Sequence, residues 1–389
     1  SMFADPTVAE IFRRQGADYR ARMRAHILPS HRRVMEDIVT CRTPARGGHL
    51  FWCEPCHFQR FSYHSCQNRH CPRCQNEAIS RWLHAQRKRL LPVAYFLFTF
   101  TLPAALRPLA YQHQRLVYGL LFRAAAAAMQ GLAADPRYLG ARLGFLAVLH
   151  TWTRDLRYHP HLHLLVPAGG LASTPQQWID APHEGFLLPV KALAILFRAK
   201  LRDALAAHPV LSGVPPEVWS RPWVVHAKPA GSGLSVLRYF APYIYRIALC
   251  NNRIVTRNRD RVTFTYRDRQ SGRRIKKTLP ALEFMQRYLQ HVLPRRFVRV
   301  RSYGFQARRS SAQLEGLQKA LGAVEPPAAR ETQAKVSEAT EPGGSSPVPA
   351  YARCPRCGQP MHVIVVPPAS PLASTPTPST FGPWRRAPP

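Results

Sequence analysis

Acidic residues are scarce in this chain. Its 389 residues contain 21 Asp and Glu against 55 Lys and Arg, which gives a formal net charge of +34. An excess of this size predicts a polyanionic partner, most simply nucleic acid. Arginine is more frequent than lysine and suits bidentate phosphate contacts. A GC-rich genome would also enrich arginine, alanine and proline, and both causes fit the composition.

Three other features are missing, and each excludes a class of protein. The sequence has no run of about eighteen apolar residues, so we expect no membrane span. It has no glycine-rich phosphate-binding loop, so we expect no use of ATP. It has no signal peptide, so we expect a cytoplasmic protein with reduced cysteines. Hydrophobic residues still make up 46% of the chain, enough for a substantial core.

The stretch from Tyr158 to Val166 carries histidines at three alternate positions, His159, His161 and His163. Alternate residues of a β-strand point to one face, so the histidines would line one side while the leucines between them enter the core. Imidazoles two residues apart on a strand can reach one divalent metal ion. The alternative is a half-buried strand that happens to carry histidines.

A third ligand is predicted from the neighbouring strand. Residues 143–152 form a strand before the histidine strand, and a turn near Asp155 would place His150 opposite His161. His150 is then a natural third ligand, with His159 as its rival and Asp155 as a weaker one. Three protein ligands would leave positions open for substrate oxygens.

Two tyrosines are the candidate nucleophiles. Tyr239 and Tyr243 are four residues apart in a predicted helix at 234–250, so they share a face, whereas Tyr245 does not. Pro242 would kink this helix. A tyrosine hydroxyl is a poor nucleophile at neutral pH, and polarisation of a phosphodiester by a metal would let it attack. The alternative is a pair of tyrosines that packs on the core.

Six of the nine cysteines lie within residues 41–74, where two CxxC knuckles have the spacing of a zinc ribbon. The cysteines that we predict to share one zinc ion are Cys53, Cys56, Cys71 and Cys74. The remaining pair, Cys41 and Cys66, could build a second zinc site or be structural thiols.

Near the end of the chain, Cys354 and Cys357 form half of a zinc ribbon. No second cysteine pair follows them, so zinc binding there would require a ligand from elsewhere, for example His362.

Basic and aromatic residues alternate in the ribbon, as a nucleic-acid surface requires, and basic residues recur in later segments. The residues that we expect to contact DNA are Arg60, Tyr63, Arg69, Arg73, Arg246, Arg253, Arg299 and Arg301.

The pattern of helices and strands predicts an α+β fold, with a central antiparallel sheet flanked by helices and preceded by a small zinc-ribbon domain. The strand at 93–102 would pair with the histidine hairpin. The predicted parts are a helical segment at 1–40, the ribbon at 41–90, a nuclease domain at 91–310, a flexible linker at 311–350 and a C-terminal segment at 351–389.

Several motifs together resemble the insertion sequence ninety-one family of transposases, which are rolling-circle, two-tyrosine enzymes with an HUH (His-hydrophobic-His) nuclease core. The resemblance covers about residues 30–310. It rests on Cys41-Arg-Thr with Gly47-Gly48-His49, on the run from Tyr63 to Cys74, on Phe100-Thr-Leu-Pro103, on His150-Thr-Trp152, on His159-Pro-His-Leu-His163, on Tyr239 with Tyr243, and on Glu283-Phe284 through Leu293-Pro294.

This resemblance implies that His161 and His163 hold Mg²⁺ or Mn²⁺, and that Tyr239 and Tyr243 attack DNA. A 5′-phosphotyrosine intermediate would nick and rejoin single-stranded DNA. The expected partners are single-stranded DNA and DNA hairpins at transposon ends, and target DNA, in the bacterial cytoplasm. The chain departs from the family at four positions: Pro242 and Tyr245 replace Arg and His, and Arg296 and Ser302 replace Gly and His.

Three other functions share part of this pattern. A rolling-circle replication initiator or a relaxase would use the same chemistry, but the zinc ribbon ahead of the core argues against both. A non-catalytic zinc-dependent DNA-binding protein would need the ribbon and the charge, but not the histidine strand. A metal-dependent hydrolase that activates water would form no covalent adduct.

Overall fold

The computed structural model describes residues 7–24, 27–172, 177–209, 214–245, 249–257, 260–268, 271–322 and 352–369. The helices are α1 (Val8–Arg22), α2 (Pro29–Thr40), α3 (Asn76–Arg87), α4 (Arg107–Gln112), α5 (Gln114–Ala134), α6 (Val190–Ala206), α7 (Glu217–Ser220), α8 (Leu234–Tyr245), α9 (Ala281–Leu289) and α10 (Ser311–Ala320). The strands are β1 (Gly48–Cys53), β2 (Phe58–Tyr63), β3 (Tyr95–Thr101), β4 (Phe145–Trp152), β5 (Tyr158–Pro167), β6 (Gly169–Leu171), β7 (Trp178–Asp180), β8 (Val225–Pro229), β9 (Ile254–Arg257), β10 (Arg261–Arg267), β11 (Arg274–Pro280), β12 (Val300–Tyr303) and β13 (His362–Val366).

A five-stranded antiparallel sheet lies at the centre of the chain, with the strand order β12-β4-β5-β3-β8. The histidine strand β5 is its middle strand and pairs with β4 on one side and β3 on the other. The predicted hairpin beside the strand at 93–102 is therefore confirmed.

Helices cover both faces of this sheet. On one face, Leu162 and Leu164 of β5 are fully buried in the same cluster as residues of α5 and α6. On the other face, Leu165 packs in a cluster with Phe240 and other residues of α8. The alternation along β5 therefore sends its leucines at even positions into one core and its histidines toward α8, as the period of a strand requires. The predicted α+β class is confirmed.

Helix α5 is long and apolar enough to cross a membrane, by length and composition alone. The expectation that no such stretch exists is thus wrong. However, 67% of its apolar window is buried inside the protein, and side chains such as Leu121 and Phe122 lie in the main core. These features are typical of the central helix of a folded domain.

A second core is built from the N-terminal helices, α9 and the sheet β9–β11. Residues 1–40 were predicted as a helical segment. Two helices form within it, and Pro29 occupies the first turn of the second, where its missing N–H costs nothing. The ring of Phe12 meets Tyr288 edge to face, with centroids 5.4 Å apart. The strands β9, β10 and β11 form a three-stranded sheet with the order β11-β10-β9.

His291 lies in this region and is completely buried. Burial lowers its pKa to about 3, against an ordinary value of 6.5. Below pH 6.5 the unfolded chain therefore binds a proton that the folded chain excludes, so stability falls as the pH falls from 6.5 toward 3. At a pH one unit below 6.5, the exclusion of this proton by His291 alone lowers the free energy of unfolding by about 1.4 kcal/mol.

We expect His291→Gln to show about 1.4 kcal/mol less loss of stability than the wild type between pH 7.5 and 5.5. Urea unfolding at both pH values measures this difference. His183→Gln, at an exposed position, is the control and should behave as the wild type. Equal losses in His291→Gln and the wild type would contradict a neutral buried imidazole.

The ribbon is a three-stranded sheet with the order β13-β1-β2. Its third strand comes from the C-terminal segment, which was predicted to stand apart. Residues 311–350 were predicted as a linker, but their beginning forms α10. Residues 323–350 and the tail from 370 lie outside the described residues.

Candidate active site and cysteine clusters

Three histidines project from the central sheet toward α8. His150 of β4 and His161 of β5 are direct cross-strand partners, and His163 follows two residues along β5. One ring nitrogen from each histidine lies within 4.8 Å of the other two. The prediction that His150 lies opposite His161 is confirmed.

Hydrogen bonds orient these imidazoles. Nδ1 of His161 donates to the carbonyl of His159 over 2.7 Å, and Nδ1 of His163 lies 3.0 Å from the hydroxyl of Thr99. Nε2 of His150 is buried and has no hydrogen-bond partner among the described residues. Metal-binding histidines use their second nitrogen in this way, which leaves the first for the ion. The three residues therefore fit a divalent metal.

Burial keeps all three rings neutral. It lowers the pKa of His161 to about 4 and the pKa values of His150 and His163 well below the usual 6.5. A neutral imidazole is the form that binds metal, so no proton has to leave at pH 7.

The two rival ligands have other partners. Arg107 donates to Nδ1 of His159 over 2.8 Å. Asp155 forms ion pairs with Arg157 at 2.9 Å and Lys277 at 3.0 Å. Burial would raise the pKa of Asp155, but hydrogen bonds from Thr153 and these cations hold it at about 2. Neither residue joins the group of three histidines.

Both tyrosines of α8 lie over the histidines. The rings of Tyr239 and Tyr243 are 4.7 Å apart. Tyr243 lies 5.3 Å from His150, and Tyr239 lies 6.2 Å from His163, measured between centroids. Tyr239 is 42% exposed, so a substrate can reach it. Partial burial, followed by the effect of Tyr243, raises the pKa of Tyr239 to about 12.

The start of α8 is fixed by Gly233. Its φ of +76° is favourable only for glycine, and a Cβ there would lie 3.0 Å from the ring of Tyr95. Pro242 is accommodated inside the helix.

Arg299 was expected to contact DNA, but it is 4% exposed, and its burial corrects that expectation. Its guanidinium donates to the carbonyls of Tyr243, at 2.7 Å, and Ile244, at 3.1 Å, and stacks over Trp152 at 5.6 Å. Burial lowers the pKa of Arg299 to about 9. A cation at the C-terminal carbonyls of a helix stabilises that end, so Arg299 holds the tyrosine helix in place.

Two other arginines of the predicted DNA surface bind backbone carbonyls. Arg69 donates to Pro294 and Phe297, and Arg73 donates to Cys41. These bonds attach the second CxxC knuckle to the segment after α9 and to the end of α2.

The remaining predicted DNA contacts lie at or near the surface. Arg60 is exposed and stacks over Phe51 at 5.0 Å. Tyr63 stacks with Phe61 at 5.9 Å. Arg301 stacks over Phe122 at 4.2 Å. Arg246 lies outside the described residues.

Sequence reasoning missed a basic cavity beside the tyrosines. Its lining residues are Arg253, Thr265, Tyr266, Arg267, Gly272 and Arg274. Arg253 was predicted to bind DNA, interacts electrostatically with Tyr243 and donates to the carbonyl of Arg154 over 2.8 Å. The signal for the cavity was the basic character of β10 and β11, although only the fold brings Arg253 close to Tyr243.

Thr99, which holds His163, was also missed. Its signal was a hydroxyl side chain within the largely aromatic and aliphatic strand β3.

The cysteines form two clusters, but the pairing differs from the prediction. The first cluster contains Cys41, Cys66, Cys71 and Cys74, and the second contains Cys53, Cys56, Cys354 and Cys357. Within each, the sulfur atoms lie within 4.8 Å of one another. The two knuckles predicted to share one ion are therefore separate, and His362 is not part of the second cluster.

The backbone explains this division. The hairpin of β1 and β2 carries Cys53 and Cys56 to its far end. The chain then returns to the end of α2, where the N–H of Arg42 donates to the carbonyl of His64 over 3.0 Å. Cys66 and the second knuckle therefore meet Cys41.

Much of this chain is similar to known proteins. A family model described as "Putative transposase" matches residues 144–313, and one described as "Transposase zinc-binding domain" matches residues 11–102. The chain is 43% identical over 349 residues to "Putative transposase y4qJ" of Sinorhizobium fredii (strain NBRC 101917 / NGR234), covering 85% of this chain and 87% of the relative. It is 28% identical over 297 residues to "Transposase for insertion sequence element IS801" of Pseudomonas savastanoi pv. phaseolicola, covering 71% and 70%. No solved structure matches.

The matched ranges contain most of the sites. The three histidines and both tyrosines lie within residues 144–313, and all four ligands of the first cysteine cluster lie within residues 11–102. The first cluster thus lies wholly within the range that matches a zinc-binding domain, and Cys53 and Cys56 of the second cluster lie within it as well. Cys354 and Cys357 lie outside both ranges.

Proposed function

This chain belongs to the IS91-type family of transposases, and from this premise we propose that it cuts and rejoins single-stranded DNA through its own tyrosines at a metal site. DNA is its substrate, as the family requires. The finer proposal names the strand, the nucleophile and the metal.

One observation carries the proposal: two tyrosines on one face of α8 lie directly over three neutral histidines. His150, His161 and His163 would hold Mg²⁺ or Mn²⁺. The bound ion would polarise the scissile phosphate and offset the charge that develops on it.

The chemistry then follows from the residues of the chain. The hydroxyl of Tyr239 or Tyr243 loses its proton and its oxygen attacks phosphorus, forming a tyrosine–phosphate bond. The bond from phosphorus to the 3′ oxygen breaks, and that oxygen takes up a proton as a free 3′-hydroxyl. The 5′-phosphate stays on the tyrosine, which conserves the energy of the bond, so rejoining needs no ATP.

Two nucleophiles allow two strands to be held in turn. This property suits rolling-circle transposition, in which one strand is cut at the transposon end and another at the target. We propose DNA hairpins at the transposon ends and target DNA as the partners, with action in the cytoplasm.

The direct test uses a labelled single-stranded oligonucleotide that carries a transposon end, incubated with protein and Mn²⁺. We expect a protein band that retains a label placed on the 3′ side of the cut after denaturation, because that fragment carries the 5′-phosphate, whereas a label on the 5′ side leaves with the free 3′-hydroxyl. Cut DNA without an adduct would indicate a hydrolase that uses water. Binding with no cut would indicate a non-catalytic DNA-binding protein. Either result would contradict the proposal.

The basic cavity provides a prediction about binding. Arg267 and Arg274 are exposed cross-strand partners that line this cavity. If both contact phosphates, Arg267→Ala/Arg274→Ala should weaken binding and make the slope of log affinity against log salt shallower by about 1.4. Fluorescence anisotropy at several salt concentrations measures the slope.

The matched control is Arg22→Ala/Arg137→Ala. It removes the same formal charge, but its arginines are paired with Asp18 at 2.8 Å and Asp135 at 2.7 Å. We expect the slope of the wild type. Equal slopes in the two double variants would place the DNA elsewhere.

A further inference from the structure

The second cysteine cluster joins two parts of the chain that are 304 residues apart. We propose that Cys53, Cys56, Cys354 and Cys357 bind a second zinc ion, which fastens the C-terminal segment 352–369 to the ribbon. This site lies partly outside the matched zinc-binding domain, and its existence does not depend on the tyrosine chemistry.

The geometry of the sulfur atoms suits zinc. Four thiolates around a tetrahedral zinc lie about 3.8 Å apart, given a zinc–sulfur bond of about 2.3 Å. Sγ of Cys53 lies 3.6 Å from Sγ of Cys357. In the first cluster, the corresponding separation of Cys66 and Cys74 is 3.7 Å. The second cluster thus has the dimensions of the first.

The two CPRC sequences also form the same local structure. In the first knuckle, the N–H of Arg73 donates to Sγ of Cys71 over 3.5 Å. In the C-terminal knuckle, the N–H of Arg356 donates to Sγ of Cys354 over 3.4 Å. Such bonds to the first sulfur orient it toward a shared ion and stabilise its thiolate form.

The C-terminal segment is positioned along its whole length. Strand β13 pairs with β1 from Gly48 to Trp52, and the N–H of Ala369 donates to the carbonyl of Pro44 over 3.0 Å. Arg356 stacks over Phe58 at 5.4 Å and donates to the carbonyl of Cys56.

Apolar packing alone gives this ribbon little support. Its buried cluster contains only five residues, and two of them are cysteines of the site. Val365 at 71% exposed is typical of the outer strand. Small domains with so little core depend on a metal or a cross-link. Here a metal ion would join two segments that lie far apart in the sequence. Cys357 is exposed, which gives the ion a route into the site.

Zinc content is the first test, measured by elemental analysis on full-length protein purified without chelators. We expect two zinc ions per chain in the wild type. Cys354→Ser/Cys357→Ser should contain one, and Cys53→Ser/Cys56→Ser should also contain one. Cys250→Ser, which changes a cysteine of neither cluster, should retain two.

A second measurement follows the thiols. In the zinc-loaded wild type, Cys53 and Cys56 should resist alkylation, as mapped by mass spectrometry. In Cys354→Ser/Cys357→Ser they should react at least tenfold faster, while Cys71 and Cys74 stay protected and show that the rest of the chain remains folded.

The proposal is overturned if Cys354→Ser/Cys357→Ser has the zinc content of the wild type, whether that is one or two. It is also overturned if Cys53 and Cys56 react equally fast with and without the C-terminal cysteines. Neither result bears on the tyrosine adduct, so failure of the zinc site and failure of the proposed nuclease activity are distinguishable.

Discussion

The variant Tyr239→Phe/Tyr243→Phe is expected to form no covalent adduct with DNA and to lose strand cleavage entirely. Both changes remove only a hydroxyl, so the rings keep their 4.7 Å contact and the metal site keeps its three histidines. A phenylalanine has no atom that can attack phosphorus. Denaturing gels with a 5′- or 3′-labelled oligonucleotide measure the adduct, and calorimetry with Mn²⁺ checks that metal binding is unchanged.

Each single variant should still form an adduct through its remaining tyrosine, because both hydroxyls lie on the same face of α8. Tyr245→Phe is the control. Tyr245 packs with the core on the side of α3 and should form adduct like the wild type. An adduct in the Tyr239→Phe/Tyr243→Phe variant would show that another residue is the nucleophile.

The second large effect is expected at the metal site. His161→Ala or His163→Ala removes one of the three proposed ligands from the side of β5 that faces α8 and leaves the buried leucines of the opposite side in place. Cleavage should fall on the order of 100-fold or more, because the phosphate is no longer polarised. Binding to DNA should persist, since it depends on the basic surfaces. Mn²⁺ titration should show loss of the tight site.

His159→Ala is the matched control on the same strand. Its imidazole accepts from Arg107 and lies outside the histidine group, so metal affinity and cleavage should stay within a factor of about three. A loss as large as that of His161→Ala would identify His159 as a ligand after all. If His161→Ala cuts normally, the metal proposal fails while a tyrosine adduct remains possible.

The sequence was most informative where local periodicity decides the geometry. Alternate histidines had to share a face of β5, and the short turn before them brought His150 opposite His161. Tyrosines four apart had to share a face of α8. These features depend on contacts between neighbours in sequence or across one hairpin, so they could be predicted without a fold.

The predictions that were wrong concern contacts between segments that are distant in the sequence. The pairing of Cys53 and Cys56 with Cys354 and Cys357 needs a strand from the far end of the chain, which no spacing rule contains. Arg299 has the same side chain as an arginine that binds phosphate, and only its burial under α8 shows its role.

Arg296 gives a smaller example of the same kind. Its φ of +59° lies in the left-handed region, which accounts physically for the glycine expected there from the family pattern. The sequence shows that this position departs from the family pattern, and the positive φ explains why the pattern has glycine there.

The pairing of β13 with β1 sets an order of events during synthesis. Cys53 leaves the ribosome 304 residues before Cys357, a delay of roughly 15 to 60 s at bacterial elongation rates. Throughout that interval one edge of β1 is unpaired, and Cys53 and Cys56 lack two of their partners while the residues of the central sheet are synthesised. Closing so long a loop also carries an entropic cost. A chain that stops before residue 352 contains every strand of the central sheet but lacks one strand of the ribbon, so the complete ribbon forms only after the central sheet has been synthesised.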